Sequence, residues 1–226
     1  MTKIDHKNTE HEKFGNQKIS GFTTAQEIPA LLDREGIEFQ SIDTVNWPEY
    51  PYKPEVKFRV AHTGDYILIH YTVTEASVRA VAPHDGGRVW EDACCEFFLQ
   101  PETGEPVYYN FECKRAGTLL LNCGRVGDRH PAPESIMQQV LRWASLGREP
   151  FEERIGTCSW QLALAIPAAA VFNHSVKDFS GLHMRANFYK CGDLLQTPHF
   201  LSWNPIQLPK PCFHCPEFFG NIHFGE

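Results

Sequence analysis

The feature that most limits how this chain can fold is its punctuation. Short runs rich in β-branched and aromatic residues follow one another from Glu55 onward, with turn chemistry between them: His-Thr-Gly-Asp at 62–65, His-Asp-Gly-Gly at 84–87, Pro-Glu-Thr-Gly at 101–104 and Lys-Arg-Ala-Gly at 114–117. Such spacing leaves no room for long helices and predicts strands joined by tight turns. The expected strands are Glu55–Ala61, Tyr66–Val73, Val78–Val81, Cys94–Leu99, Val107–Cys113, Thr118–Cys123, Gln139–Ala144, Cys158–Ile166, Leu182–Lys190, His199–Trp203 and Gly220–Phe224. Two segments read differently. Gln26–Glu35 suits a short helix or turn interrupted by Pro29, and the apolar spacing of Glu134–Ser145 suits either element type.

About ten short strands predict an all-β fold, an antiparallel β-sandwich of jelly-roll or immunoglobulin-like type with little helix. The 226 residues fit one such unit. No repeat or low-complexity linker divides them, and the 16 prolines and 16 glycines are dispersed, so 21–226 is expected to be a single domain behind a hydrophilic, frayed segment 1–20.

Charge narrows the partners. The net charge of −7 and pI near 5.9 come without any Lys/Arg cluster, which argues against nucleic acid. No stretch has the length and apolarity to span a bilayer, and the first twenty residues lack the apolar core of a leader. The expectation is therefore no membrane partner and a cytoplasmic location as written, periplasmic or secreted if a leader has been removed. The eight cysteines are not spaced as the framework of a small secreted scaffold and read as reduced thiols in a core.

Catalytic signatures are missing. The chain contains no G-x-S-x-G, no phosphate-binding G-x-x-x-x-G-K-[ST], no H-E-x-x-H and no G-x-G-x-x-G. Cys212-Phe213-His214-Cys215 is a C-x-x-C, but no second such pair completes a zinc set, so two ordinary thiols in a Pro-rich loop are the expectation. Aromatic residues in polar loops carry more information. Trp90, in Gly-Gly-Arg-Val-Trp-Glu-Asp, and Phe213 stand in loops, where a flat ring can lie against the C–H face of a sugar, whereas Trp160 and Trp203 fall inside apolar strands and belong to the core.

Three separated motifs then resemble one family. Trp90-Glu91-Asp92-Ala93-Cys94-Cys95-Glu96-Phe97-Phe98-Leu99 resembles the W-x-D-D-x-V-E-I-F-L-D segment of the family 9 carbohydrate-binding modules. Tyr109-Asn110-Phe111-Glu112 with Ala116-Gly117 resembles that family's Y-x-F-x-x-N-x-x-G hairpin. Its closing strands resemble Arg185-Ala186-Asn187-Phe188-Tyr189, Leu201-Ser202-Trp203 and Phe213 to Gly220. The likeness covers about residues 35–226 and is greatest to the stand-alone branch seen in gut bacteria.

The resemblance implies a β-sandwich holding a sugar, often a chain end, between two aromatic rings, in relatives of modules appended to xylan- and cellulose-degrading glycoside hydrolases. Trp90 matches the first ring, Phe213 takes the place of the second, Glu96 matches a hydroxyl-binding carboxylate, Asn187 a strand amide, and Lys210 replaces an asparagine three residues before the second ring. Strand alternation sends Cys95, Phe97 and Leu99 to one face and Cys94, Glu96 and Phe98 to the other, so Glu96 is free to face a site. No cofactor is expected. Some relatives carry structural calcium, for which no D-x-D-x-D-G run is present here. The expected function is non-catalytic carbohydrate binding. The alternatives are a glycosidase or lyase using Glu96 with Glu112 or Asp92, and an adaptor sandwich whose sugar site has decayed.

Overall fold

The structure, a computed structural model, describes residues 14–226. Expectations for residues 1–13 lie outside the described residues. Within the segment expected to fray, Phe14–Lys18 instead forms strand β1.

Two sheets face each other. The first is built from β4 (Glu55–His62), β5 (Tyr66–Ala80), β10 (Leu141–Ala144) and β11 (Phe151–Pro167), with the short β2 (Gln40–Ser41) on β4. Its antiparallel order is β10-β11-β5-β4. The second runs β14-β12-β6-β7-β8-β9. Its members are β6 (Cys94–Gln100), β7 (Tyr108–Lys114), β8 (Leu119–Arg125), β9 (Asp128–Pro131), β12 (His183–Cys191) and β14 (Gly220–Phe224). Two short strands, β13 (Phe200–Ser202) and β3 (Thr44–Val45), extend the β12 edge. β1 joins the sheets: Phe14–Asn16 pairs parallel with β14, and Gln17–Lys18 pairs parallel with β4. The architecture is thus the expected sandwich, antiparallel except at this bridging strand.

The core between the sheets is made by alternate residues. Phe58 from the first sheet stacks on Phe188 from the second at 3.9 Å, and Phe188 stacks in turn on Phe97 at 4.9 Å. Tyr71 crosses the layer to donate its hydroxyl to the Glu96 carbonyl at 3.2 Å. Stacked rings of this kind add about 0.5–1.5 kcal/mol each to what their burial contributes. Trp160 is buried as expected and donates its indole N–H to Glu75, but Trp203 is only partly buried, lying edge-on to Phe58 and Phe188 at the rim of the core.

Local differences from the sequence reading have simple causes. Pro29 does not interrupt the first helix; it occupies the opening turn of α1 (Ile28–Arg34), where its missing N–H would have had no partner. Glu134–Ser145 divides into a single helical turn, α2 (Glu134–Met137), and β10. The polar run Phe151–Thr157 is the first half of β11, paired along the far end of β5 through two register shifts. Its mostly exposed residues carry no apolar alternation to reveal it. Among the described residues no helix is long and apolar enough to cross a membrane.

Candidate functional site

The outer face of the second sheet is also covered, and this covering makes the site. Cys95, Phe97 and Leu99 of β6 belong to the core between the sheets, while Cys94 and Phe98 belong to a second apolar cluster with Tyr108, Leu120, Tyr189, Phe213 and Phe219. Glu96 points to the second side, as alternation requires. Two loops roof that cluster, one before β6 and one between β13 and β14. The latter is pinned by the Trp47 indole N–H donating to the Leu208 carbonyl at 2.8 Å and the Ile206 N–H donating to Asn46 Oδ1 at 2.7 Å.

Between the loops and the sheet lies a cavity of about 610 Å³. That is the size of a pocket for a small organic ligand, roughly 300–1,000 Å³. Trp90 and Phe213 contribute rings to its lining, Glu96, Glu112 and Asp193 contribute carboxylates, and Arg129 brings a guanidinium. Trp90 and Glu96 are set by the β6 approach: a single 3-10 turn, Val89–Glu91, presents the indole, and the strand begins at Cys94. Arg88 lies over the Trp90 ring at 5.8 Å. Phe213 is more deeply set than a loop ring, at 9% exposed, because one of its faces lies parallel on Tyr189 at 4.2 Å.

The other two expected residues sit elsewhere. Asn187 is fully buried and does not line the cavity; its amide fastens the backbone where β13 leaves β12. Oδ1 accepts from the N–H groups of Phe188 and Asn204, both at 2.9 Å, and Nδ2 donates to the Asn204 carbonyl at 3.0 Å. These bonds take three of the four positions the amide offers, including both acceptor positions of its oxygen. Lys210 is exposed next to Pro211, which does line the cavity, but Lys210 itself does not.

Strand pairing brings Glu112, named from sequence only for the hydrolase alternative, to Glu96, and adds polar residues that motif reasoning passed over. Glu112 stands directly opposite Glu96 in the β6–β7 register, and Asn122 of β8 stands opposite Asn110 of β7. Burial pushes the Glu96 carboxyl well up and that of Glu112 up to about 7, with Glu112 held in place by Asn110, whose Nδ2 donates to it at 2.8 Å. Burial also raises Asp193 to about 6. A polar chain completes the wall. Arg129 donates to His214 Nε2 at 2.9 Å, so that nitrogen accepts, and the ring proton is on Nδ1, which donates to the Tyr108 hydroxyl at 3.0 Å. Protonation would turn Nε2–H against the guanidinium. Burial first, and then Arg129, lower His214 to about 3, so the ring is neutral across the ordinary pH range. Arg129 reaches the site because Gly124 permits the tight β8–β9 hairpin: its φ is +150°, and a Cβ there would lie 2.2 Å from the Asp128 carbonyl.

The thiols divide into two sets. All eight are unpaired, and six are buried. In the C-x-x-C, the Cys215 thiol donates to the carbonyls of Cys212 and Phe213 within its own loop, at 3.2 and 3.4 Å. The cluster of potential ligands among the described residues is instead Cys94, Glu96 and Cys191, whose donor atoms all lie within 4.8 Å of one another.

Chemically, this arrangement offers apolar ring faces, buried carboxyl groups to bond hydroxyls, and a guanidinium fixed by a neutral histidine. Comparison with known proteins agrees in kind. The model of carbohydrate-binding family 9 matches residues 26–224. A crystal structure of a presumed carbohydrate-binding protein from Bacteroides uniformis is 57% identical, superposes with a TM-score of 0.91, and covers 94% of this chain and 98% of its own. Two structures of a family 9 carbohydrate-binding module from Caldicellulosiruptor kristjanssonii, one with glucose and one with cellotriose, share the fold at 10% identity. Their TM-scores are 0.60 and 0.59, covering 95% of this chain in each case and 97% and 94% of theirs. No curated protein matches the chain. With nearly its whole length matched by one family model, and the sandwich and roofed outer face in place, this chain belongs to carbohydrate-binding family 9.

Proposed function

We propose that the protein binds a saccharide without transforming it, in the cavity between Trp90 and Phe213. The observation that carries this reading is the lining: two aromatic rings with Glu96, Glu112, Asp193 and Arg129 in one space of about 610 Å³. A pyranose presents an apolar C–H face and an equatorial rim of hydroxyls, and such a site offers a partner to each. The carboxyl groups and the guanidinium offer both acceptors and donors, so a sugar edge alternating both roles is satisfied. Glucose and cellotriose, held by the two Caldicellulosiruptor modules, make a glucosyl chain end the first ligand class to test.

The hydrolase alternative would use Glu96 and Glu112 as acid and base. These carboxylates share the floor of the cavity as cross-strand neighbours, a placement that suits two adjacent hydroxyls of one sugar. Isothermal titration with glucose, cellobiose, cellotriose and xylobiose, alongside a reducing-sugar release assay on mixed polysaccharides, tests both statements. Saturable binding without release supports the proposal. Release abolished by Glu96→Gln would replace it with the enzyme reading, and no binding across a wider glycan array would leave the adaptor reading.

A further inference from the structure

Beside Glu96 the floor of the cavity holds two thiols that sugar recognition does not use. Cys94 and Cys191 are directly paired across β6 and β12, and Glu96 is two residues along β6 on the same face. The Cys191 thiol lies 3.0 Å from Glu96 Oε1, and all three donor atoms fall within 4.8 Å of one another. Glu96 is 3% exposed and enters no salt bridge among the described residues. The Cys191 thiol donates to it, but no ion-pair partner among the described residues stands beside it, and a metal ion would supply that charge.

We propose that Cys94, Cys191 and Glu96 form a three-ligand site for Zn²⁺ whose fourth position opens into the cavity. Two thiolates and one carboxylate suit a borderline-soft, tetrahedral ion and disfavour calcium or magnesium, which take oxygen ligands. With Zn–S near 2.3 Å and Zn–O near 2.1 Å, the edges of a tetrahedron are about 3.5–3.8 Å, so the ligand atoms, all within 4.8 Å of one another, would shift by about 1 Å to reach it. Access follows from the lining: Cys191 and Glu96 border the cavity, and Cys94 is fully buried beside them. Three protein ligands with one open position make a site that a water or a ligand hydroxyl can complete. The metal site shares Glu96 with the sugar reading but does not rest on it, since cobalt and zinc binding need only these three side chains and are read without a saccharide.

The test uses the full chain, reduced and stripped of metal, titrated with Co²⁺ and then with Zn²⁺. The expected result is one cobalt per chain with tetrahedral visible bands and a near-ultraviolet thiolate charge-transfer band, displaced by Zn²⁺. Cys191→Ser and Cys94→Ser, each checked for folding by its thermal midpoint, should weaken Zn²⁺ affinity by more than about 100-fold, beyond the usual cost of losing a supporting outer partner. A wild-type protein giving no charge-transfer band overturns the proposal without recourse to any variant. So does a band that persists in both serine variants, or one abolished by Cys212→Ser with Cys215→Ser, which would place the metal on the loop pair.

Discussion

Replacing Asn187 with alanine separates a ligand-binding amide from a structural one. In the structure the amide satisfies three buried backbone groups, the N–H of Phe188 and both the N–H and the carbonyl of Asn204, at 2.9, 2.9 and 3.0 Å. Asn204 in turn donates its side-chain amide to the Phe218 carbonyl at 2.7 Å, so Asn187 helps fix both ends of the chain leading from β13 to β14. Alanine leaves the three groups without partners at a position with no solvent access. At roughly 1 kcal/mol for each lost bond, the variant should be less stable by about 3 kcal/mol. For a chain of this size the thermal midpoint should fall by about 6–12 °C, at roughly 2–4 °C per kcal/mol. Chemical denaturation gives the free energy and calorimetry the midpoint, while titration with cellotriose well below the midpoint gives the affinity of the folded fraction. A loss of stability under about 1 kcal/mol together with a tenfold or greater loss of affinity would refute the structural role and put the amide in the binding site.

Trp90→Ala should lower affinity about 5- to 150-fold with a small change in thermal midpoint, because the indole is half-exposed on a loop; isothermal titration with an oligosaccharide that binds the wild type reads this. Phe213→Ala should lose affinity and also about 3 kcal/mol of stability, since its ring is stacked on Tyr189 and buried, and denaturant unfolding distinguishes it from Trp90→Ala. His70 accepts at Nδ1 from Arg59 and donates from Nε2 to Gln161, and burial lowers its pKa from 6.5 to about 4. The unfolded chain then binds a proton that the folded chain refuses between those values, so this histidine's contribution is complete above pH 6.5 and is lost toward pH 4, at most about 3 kcal/mol. The stability difference between wild type and His70→Gln, followed by denaturation across that window, should change with that sign. The raised carboxyls of Glu112 and Asp193 slope stability the other way and cancel in the difference. Gly124→Ala should destabilise the β8–β9 hairpin and weaken saccharide binding through Arg129, and unchanged hydrogen exchange in Leu119–Pro131 would contradict this.

What the sequence determined by itself was local and periodic. Turn chemistry set the strand boundaries over most of the chain, and alternation along Cys94–Leu99 assigned Glu96 to the face opposite Phe97, because side-chain direction in a strand depends only on parity. Trp90 and Phe213 were legible as loop aromatics, and both line the cavity. Register was not legible. Glu112, Arg129 and Asp193 come to Glu96 through strand pairing and loop return, contacts that carry no local signature, and Cys94 meets Cys191 across 97 positions of sequence for the same reason. Asn187 shows the converse: its neighbourhood in sequence resembled a site, but the course of β13 beside it left three backbone groups needing partners, and the amide is consumed there. The second sheet is covered on both faces at its centre, so β6 and β7 are buried along their whole length and carry polar residues inside. Which buried polar group serves a ligand and which serves the backbone was settled only when the roofing loops closed over it.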